Sequence, residues 1–443
     1  MRNNFPHPTK WRKYQANLQR SARRKQFQKK LLMLFAISGA GLALVILVYY
    51  TGIRLSNASD RAAQKLQQSE NKVDASPQKL SRRDLTFFLN DAAIDVSLMT
   101  DQFVHRKNGV GYTIKTTINT KLQKYILRLL KRSRTRQSAV VVLNPYDGRV
   151  FAMVDHDADG NSENLILKAD YPAASLFKIV SAAAALERAG FSPDKTLFFK
   201  GKKHTLYKYQ LKPPKGRYIR KTTLRKAFAS SNNAVFGKLG IHNLGQRVLA
   251  EYAAKFRFNT PISFDFPLAV STIEVPADDF GLAEISSGFN KKTLISPLHA
   301  TLLSAVAVNK GVMPAPWLVD TIEDSSGKFF YTASHKTLNA SISNKTAGHL
   351  KILMQDAVRY GTSRRAFGRL RRKKVFNKFK LGAKTGTIND ETDQFKYDWL
   401  TAYALDPDGI KGICVGVLGI HGKILGVRST ELARSIINYY FSL

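Results

Sequence analysis

The chain has 443 residues, more than one ordinary domain needs and few for three. Apolar residues make up 44% of it, enough for a large core, and 70 Lys and Arg stand against 32 Asp and Glu, a net charge of +38. A single cysteine excludes an internal disulfide, and with no zinc-ligand cluster and no ordered RNA- or DNA-binding motif the charge does not read as a nucleic-acid surface; an anionic envelope accounts for it at least as well.

The charge begins at the N-terminus, where residues 1–30 hold ten Lys or Arg and no acid. The segment "LLMLFAISGAGLALVILVYY" (31–50) follows without a single charged residue. As a helix it spans roughly 30 Å of hydrocarbon. It exceeds the roughly 7–15 apolar residues of a signal-peptide core, and no small-x-small cleavage site follows it. The expected arrangement is a basic cytoplasmic tail (1–30), one transmembrane helix (31–50) in the inner (plasma) membrane, and export of everything beyond it, since the basic flank stays inside.

Residues 51–80 are polar and read as a stalk ending near Pro77. Residues 81–135 regain apolar content: "LTFFLNDAAIDVSLMTDQF" and "TKLQKYILRLLKR" carry helix-like spacing, which predicts a small helical pedestal. Texture changes near Ser138. "AVVVL" (139–143), the turn "NPYDG" and "RVFAMV" (149–154) predict a β-hairpin. The next clear strands come only near the C-terminus, at 380–388, 398–405 and 411–420, before an amphipathic helix in "TELARSIINYYFSL". Cys414 falls inside one of these apolar runs and is expected to be buried. Residues 172–370 read as mainly helical. The expectation is an α/β fold: an antiparallel sheet completed by sequence-distant strands, flanked by helices and enclosing a large helical insert, over residues 136–443.

Three stretches could carry chemistry. Ser-x-x-Lys recurs along the chain, with Ser76/Lys79, Ser175/Lys178 and Ser325/Lys328 among its occurrences. The first has Pro77 within the spacing and the last is the turn-like "SSGK". Only "YPAASLFKIVSAAAALE" (171–187) has helical context, where residues three apart share a face. Ser175 can then meet Lys178, and a serine needs a base to become a nucleophile. Lysine serves only when its pKa of about 10.4 falls by several units, through burial or a second cation nearby. In "AFASSNNAVFGKLG", Ser231, Asn232 and Asn233 interrupt an apolar helical pattern; taken singly they read as helix caps. In "GAKTGT", Lys384, Thr385, Gly386 and Thr387 lie on a strand, with a glycine that lets another backbone approach. Such an edge can pair with an extended peptide and hold its carboxylate. The basic run "RRAFGRLRRKK" (364–374) reads first as a solvated face, with an anionic glycan, lipid headgroup or partner as the alternative. His299, in "SPLHATLLSAV", reads as structural. No metal cluster, phosphate-cradling loop or cofactor motif is found.

Ser-x-x-Lys, then Ser-x-Asn, then Lys-Thr-Gly, in that order, resembles the motif set of the penicillin-binding protein transpeptidase family and the related serine β-lactamases. "TINTKLQ" (117–123) resembles the segment leading into these domains, "AVVVLNPYDGRVFAMV" their first hairpin, "SPLHATLLSAVAVNKGVMPAPWLV" (296–319) the helix after the second motif, and "GTS" (361–363) their turn before the third. The similarity covers residues 112–443 and implies the family's five-stranded antiparallel sheet. It implies Ser175 as the acylated nucleophile, Lys178 as its base, Ser231 as proton relay and Asn233 as holder of the substrate amide. Ser231 is preferred to Ser230 as the motif's first residue because Phe236 then falls where the family carries an aromatic. The resemblance further implies that Lys384 depresses Lys178 and, with Thr385 and Thr387, binds the terminal carboxylate. Gly386 completes the third motif, and the N–H groups of Ser175 and Thr387 form the oxyanion hole. Where the family has Gly before the nucleophile this chain has Ala174, which fits if its φ is negative.

No Glu-x-x-Leu-Asn stretch lies between the second and third motifs, and Asn233 stands where lysine-modified β-lactamases carry an apolar residue, so a hydrolase of either kind is disfavoured. The implied protein is a membrane-anchored peptidoglycan D,D-transpeptidase, with D,D-carboxypeptidase activity as a variant. Its implied partners are D-Ala-D-Ala stem peptides, β-lactams as inhibitors, the inner membrane and other cell-wall synthesis proteins; no cofactor is implied. The alternatives are a β-lactam-acylated sensor, which needs an effector that thirty basic residues hardly provide, and a silent wall scaffold, which intact motifs argue against.

Overall fold

The computed structural model of the chain describes residues 80–90, 94–160, 164–213 and 216–443. The expected tail, the expected transmembrane helix (31–50) and nearly all of the stalk lie outside these residues. No described helix is long and apolar enough to cross a membrane.

The elements that frame the site are, in chain order, α1 (Arg82–Asn90), β1 (Gln102–Lys107), β2 (Val110–Thr116), α2 (Thr120–Lys131), β3 (Gln137–Leu143), β4 (Val150–Asp157) and α3 (Lys178–Glu187). The helical region continues with α4 (Leu224–Ala229), α5 (Asn233–Leu239), α6 (Asp279–Ser287) and α7 (Pro297–Val308). Then come β5 (Val319–Asp324), β6 (Phe329–Thr332), α8 (Asn344–Arg359), α9 (Arg364–Arg371), β7 (Lys380–Asn389), β8 (Lys396–Leu405), β9 (Gly412–His421) and α10 (Ser429–Tyr440).

The main sheet has five antiparallel strands in the order β7-β8-β9-β3-β4. The N-terminal hairpin thus docks on the C-terminal strands, Val141 opposite Gly416 and Met153 opposite Val141. Both faces are covered, which is why "AVVVL" is continuously apolar rather than alternating. Val140 and Val142 point into a core with Leu122 and Ile126 of α2 and Leu432 and Ile436 of α10. Ala139, Val141 and Leu143 point the other way, into the core of α3, α7 and α8. The middle helix α7 is buried along its whole length, as its all-round apolar sequence requires. It starts on Pro297 behind Ser296, whose Oγ accepts from the His299 N–H at 3.2 Å.

The region before the hairpin bears out the helical reading in "TKLQKYILRLLKR", which is α2, and departs from it in the earlier stretch. "LTFFLNDAAIDVSLMTDQF" holds α1 and a single 3₁₀ turn, Val96–Leu98, but its last residues already belong to β1. β1 and β2 form a hairpin, and β2 pairs in turn with β5, which pairs with β6, in a second four-stranded sheet. That sheet is partly exposed, β1 alternating between exposed and half-buried positions. Its polar strands carry little of the apolar signal that marks the main sheet. Asp265 ties α1 to it: the buried carboxylate accepts from Arg82 Nε at 3.0 Å and from the Leu318 and Val319 N–H groups at 2.6 and 2.8 Å.

Candidate active site

The nucleophile candidate lies in a 3₁₀ turn, Ala174–Phe177, that runs directly into α3. This turn is wedged between two other segments. Ala174 has φ +49°, the left-handed region, so the negative φ expected for it does not hold. Two glycines permit the fit. A Cβ on Gly288, itself at φ +63°, would lie 1.9 Å from the Ala174 carbonyl oxygen, and one on Gly386 would come within 3.2 Å of Ala174 Cβ. The strained alanine is therefore held by packing from the end of α6 and from β7, a conformation that costs an L-residue roughly 1–2 kcal/mol. Trp399, opposite Gly386 in the sheet, donates from Nε1 to the Pro172 carbonyl at 2.9 Å and closes the other end of the segment.

One helical turn on, Lys178 is fully buried. Its Nζ lies 2.8 Å from Ser175 Oγ and 2.7 Å from Asn233 Oδ1, and it also contacts the Ser287 carbonyl oxygen. The last two atoms can only accept. A neutral amine has two hydrogens and one lone pair, so donating to both acceptors leaves the lone pair for the Ser175 hydroxyl. Burial, and then repulsion from Lys384, hold Lys178 well below the ordinary lysine range. The ring of Phe236 lies 5.6 Å beneath its nitrogen.

The second stretch contributes two side chains, and the residue between them does a different job. Asn232 is the N-cap of α5, its Oδ1 accepting from the Val235 N–H at 3.1 Å. Ser231, at φ +52°, and Asn233 turn inward and are buried. Ser230 instead bonds its own helix, donating to the Lys226 carbonyl at 2.8 Å. Asn233 is oriented by Nδ2, which donates to the His204 carbonyl at 3.1 Å, and its own N–H donates to the Lys203 carbonyl at 2.7 Å.

The third stretch lies on β7, an edge of the main sheet. Lys384 is fully buried and donates to Ser231 Oγ at 3.0 Å and to the Thr385 carbonyl at 2.7 Å. Burial pulls its pKa down to about 7. Thr385 Oγ1 lies 2.7 Å from Thr362 Oγ1, in the "GTS" turn. Thr387 is exposed on the same strand. The three sequence stretches thus form one cluster, Ser175–Lys178–Asn233 beside Ser231–Lys384.

Several participants carried no signal of their own in the sequence. Lys203, His204 and Ser287 act through backbone carbonyls, which any residue type supplies. The His204 imidazole, held below its usual pKa by burial and then by Lys178, lies at the rim of the same cluster. Thr362 was visible only as part of a turn. His299 is buried, its Nε2 donating to the Phe256 carbonyl at 2.7 Å, and burial lowers its pKa to about 4. It takes no part in the cluster. Cys414 is a buried strand residue. Among the described residues no group of His, Cys, Asp and Glu could hold a metal.

The arrangement suits acyl transfer: an alcohol beside a buried amine, a second hydroxyl on a second buried amine, and a strand edge with hydroxyls for an extended peptide. Comparison with known proteins agrees in kind. Stage V sporulation protein D of Bacillus subtilis is 23% identical over 310 residues, 66% of this chain and 46% of that protein. The peptidoglycan D,D-transpeptidase PbpA of Mycobacterium tuberculosis is 24% identical over 348 residues, 70% of this chain and 68% of the relative. The chain thus spans about half to two-thirds of the length of these relatives. The solved structure of penicillin-binding protein A from M. tuberculosis, as its imipenem acyl-enzyme, superposes with a TM-score of 0.61 at 23% identity, covering 74% of this chain and 79% of that one; this likeness concerns the fold. Residues 138–418, most of the chain and all three stretches, match the model of the penicillin-binding protein transpeptidase domain, and the chain belongs to that family.

Proposed function

We propose that the chain is a membrane-anchored serine D,D-transpeptidase that cross-links peptidoglycan stem peptides through an acyl-enzyme on Ser175. The D-Ala-D-Ala end of a donor stem lies along β7, its carboxylate held by Lys384, Thr385 and Thr387. Neutral Lys178 takes the Ser175 proton as Oγ attacks the penultimate carbonyl. The N–H groups of Ser175 and Thr387 hold the oxyanion, worth roughly 3–4 kcal/mol per donor. The C–N bond then breaks as Ser231, backed by Lys384, gives its proton to the departing D-alanine nitrogen and regains one from protonated Lys178, which returns to the neutral amine. An acceptor amine attacks the ester, loses a proton to neutral Lys178, and that proton passes to the Ser175 oxygen as its C–O bond breaks. β-Lactams enter the same route and stop at the acyl stage. Segment 31–50 anchors the chain in the inner membrane with the catalytic domain outside, beside other wall-synthesis proteins.

The observation that carries this reading is the 2.8 Å approach of Lys178 Nζ to Ser175 Oγ with both remaining contacts of the amine taken by acceptors. Intact-mass spectrometry after exposure to a penicillin tests it. One adduct per chain is expected on the parent and none on Ser175→Ala, with loss over hours rather than seconds. An unmodified parent, or an adduct that survives the substitution, overturns it.

A further inference from the structure

Beyond the catalytic groove, one strongly basic surface of the described chain is the helix α9 and its surroundings. Its buried face is Ala366, Phe367 and Leu370. Every other position except Gly368 is arginine. One cleft of about 640 Å³ is lined by Arg359, Arg364, Arg365, Arg369, Arg371 and Arg372, and by no acid. It reaches Thr362, the residue bonded to Thr385 at the catalytic edge. A second, of about 630 Å³, shares Arg365 and Arg369 and adds Arg428 and Arg434. Its single acid, Glu431, bonds Arg434 at 2.9 Å and approaches Arg369 at 3.6 Å. Among the described residues no carboxylate pairs with Arg364, Arg365, Arg371, Arg372 or Arg428.

This arrangement works against the helix that carries it. Arg365 and Arg369 are one turn apart, where like charges destabilise. Arg364 and Arg365 occupy the positive end of the helix dipole, which favours anions, and no acid lies in the first turn. The N-cap, Ser363, makes no capping bond; its hydroxyl is fully buried and has no partner among the described residues. Repulsion and an unfavourable dipole meet at one place, and an anion in the adjoining clefts relieves both.

We propose that the two clefts form a continuous binding site for a linear polyanion with phosphate groups in series, alongside the catalytic groove. Arginine forks bond two oxygens of one phosphate. Here they come from two walls, α9 on one side and the Arg428 and Arg434 segment on the other. A tetrahedral group can be bonded from both, whereas a planar carboxylate accepts its fork in one plane. The two depressions adjoin through Thr362, Arg365 and Arg369, which gives a path suited to an extended chain.

The test is binding of inorganic polyphosphate to the full-length chain, followed by anisotropy over a range of salt. Arg365→Gln/Arg369→Gln/Arg372→Gln is expected to weaken binding at least 30-fold and to reduce the slope of log K against log salt by about two to three. Arg217→Gln/Arg220→Gln/Lys221→Gln, which removes the same charge from an exposed site elsewhere, is expected to change binding less than 3-fold. The basic residues 1–30 contribute equally to all variants. Lysine at the three cleft positions keeps the charge, loses the forks and should lie between, which also guards against a misfolded glutamine variant. Equal losses in the two glutamine variants would reduce the effect to net charge and overturn the site. Poly-glutamate of matched charge binding as tightly as polyphosphate would overturn the phosphate assignment. Cleft-dependent binding that is stronger to phosphatidylglycerol vesicles than to polyphosphate would replace the polymer with a membrane and overturn the proposal.

Discussion

Asn233 positions Lys178: its Oδ1 accepts from the lysine nitrogen at 2.7 Å, while its Nδ2 is itself held by the His204 carbonyl. The amide is neutral and can only accept at that oxygen, so it orients the amine without stabilising its charged form as a carboxylate would. Asn233→Ala is expected to lower penicillin acylation about 100-fold, the order of loss that a 1 Å misplacement brings. Asn233→Asp places a negative charge beside the lysine, raises its pKa and moves the acid limb of the acylation profile to higher pH. Stopped-flow acylation between pH 5 and 10 distinguishes the two, since the alanine variant should lose amplitude without such a displacement.

Lys384 gives a prediction of opposite sign on catalysis and on stability. After burial, its charge is the second cause that lowers the pKa of Lys178, so Lys384→Met removes a repulsion and raises the pKa of Lys178. The acid limb of acylation then moves up in pH, and binding of the substrate carboxylate weakens. For folding, the pKa of Lys384 is about 7 in the native state against about 10.4 unfolded. Between those values the unfolded chain binds more protons, so this lysine makes stability rise with pH across that window. Below pH 7 its cost to folding is fully present. Urea unfolding at pH 7 and pH 10 should show a smaller gain with pH for Lys384→Met than for the parent. An equal gain in the two proteins would show that Lys384 is not the group responsible.

Ala174 holds a conformation suited to glycine. Ala174→Gly removes roughly 1–2 kcal/mol of strain and returns about 0.5–1 kcal/mol to the entropy of the unfolded chain. The expected net is a stabilisation of about 0.5–1 kcal/mol, read as a raised midpoint in urea. Acylation should change little, because Gly288 and Gly386 continue to fix the turn. A destabilised glycine variant would mean that the Ala174 methyl contributes more in packing against Gly386 than the strain costs.

The contrast between what was readable in the sequence and what was not follows the physics of each position. The main sheet was legible because its strands are buried on both faces and therefore continuously apolar. The cluster was legible as three short motifs in order rather than residue by residue, since Ser231 and Asn233 taken singly read as helix caps. The second sheet was not: β1 is half-exposed, and β2 finds its partner β5 some two hundred residues away. Helix-like spacing over 85–103 spans α1 and a turn, and α1 ends where the apolar pattern continues. The left-handed Ala174 was illegible for a different reason: it is imposed by Gly288 and Gly386, which touch it only in three dimensions.

Asp265 carries the last prediction, one that concerns how the N-terminal helix is fastened rather than catalysis. The carboxylate is fully buried and accepts from Arg82 and from two backbone N–H groups of the β5 segment. Removing one partner of such a buried pair leaves the other unpaired, at a cost of about 3–5 kcal/mol. Asp265→Ala is therefore expected to lose about 3 kcal/mol or more in urea unfolding. Arg82→Met leaves the carboxylate with its two N–H donors and should cost less. The double variant tests the coupling, since it removes both charges together. If Arg82 and Asp265 act as a pair, its loss falls clearly below the sum of the single losses. Strict additivity would mean that the backbone N–H groups alone hold Asp265 and that α1 is fastened by its apolar contacts, Leu85 and Leu89 in the core.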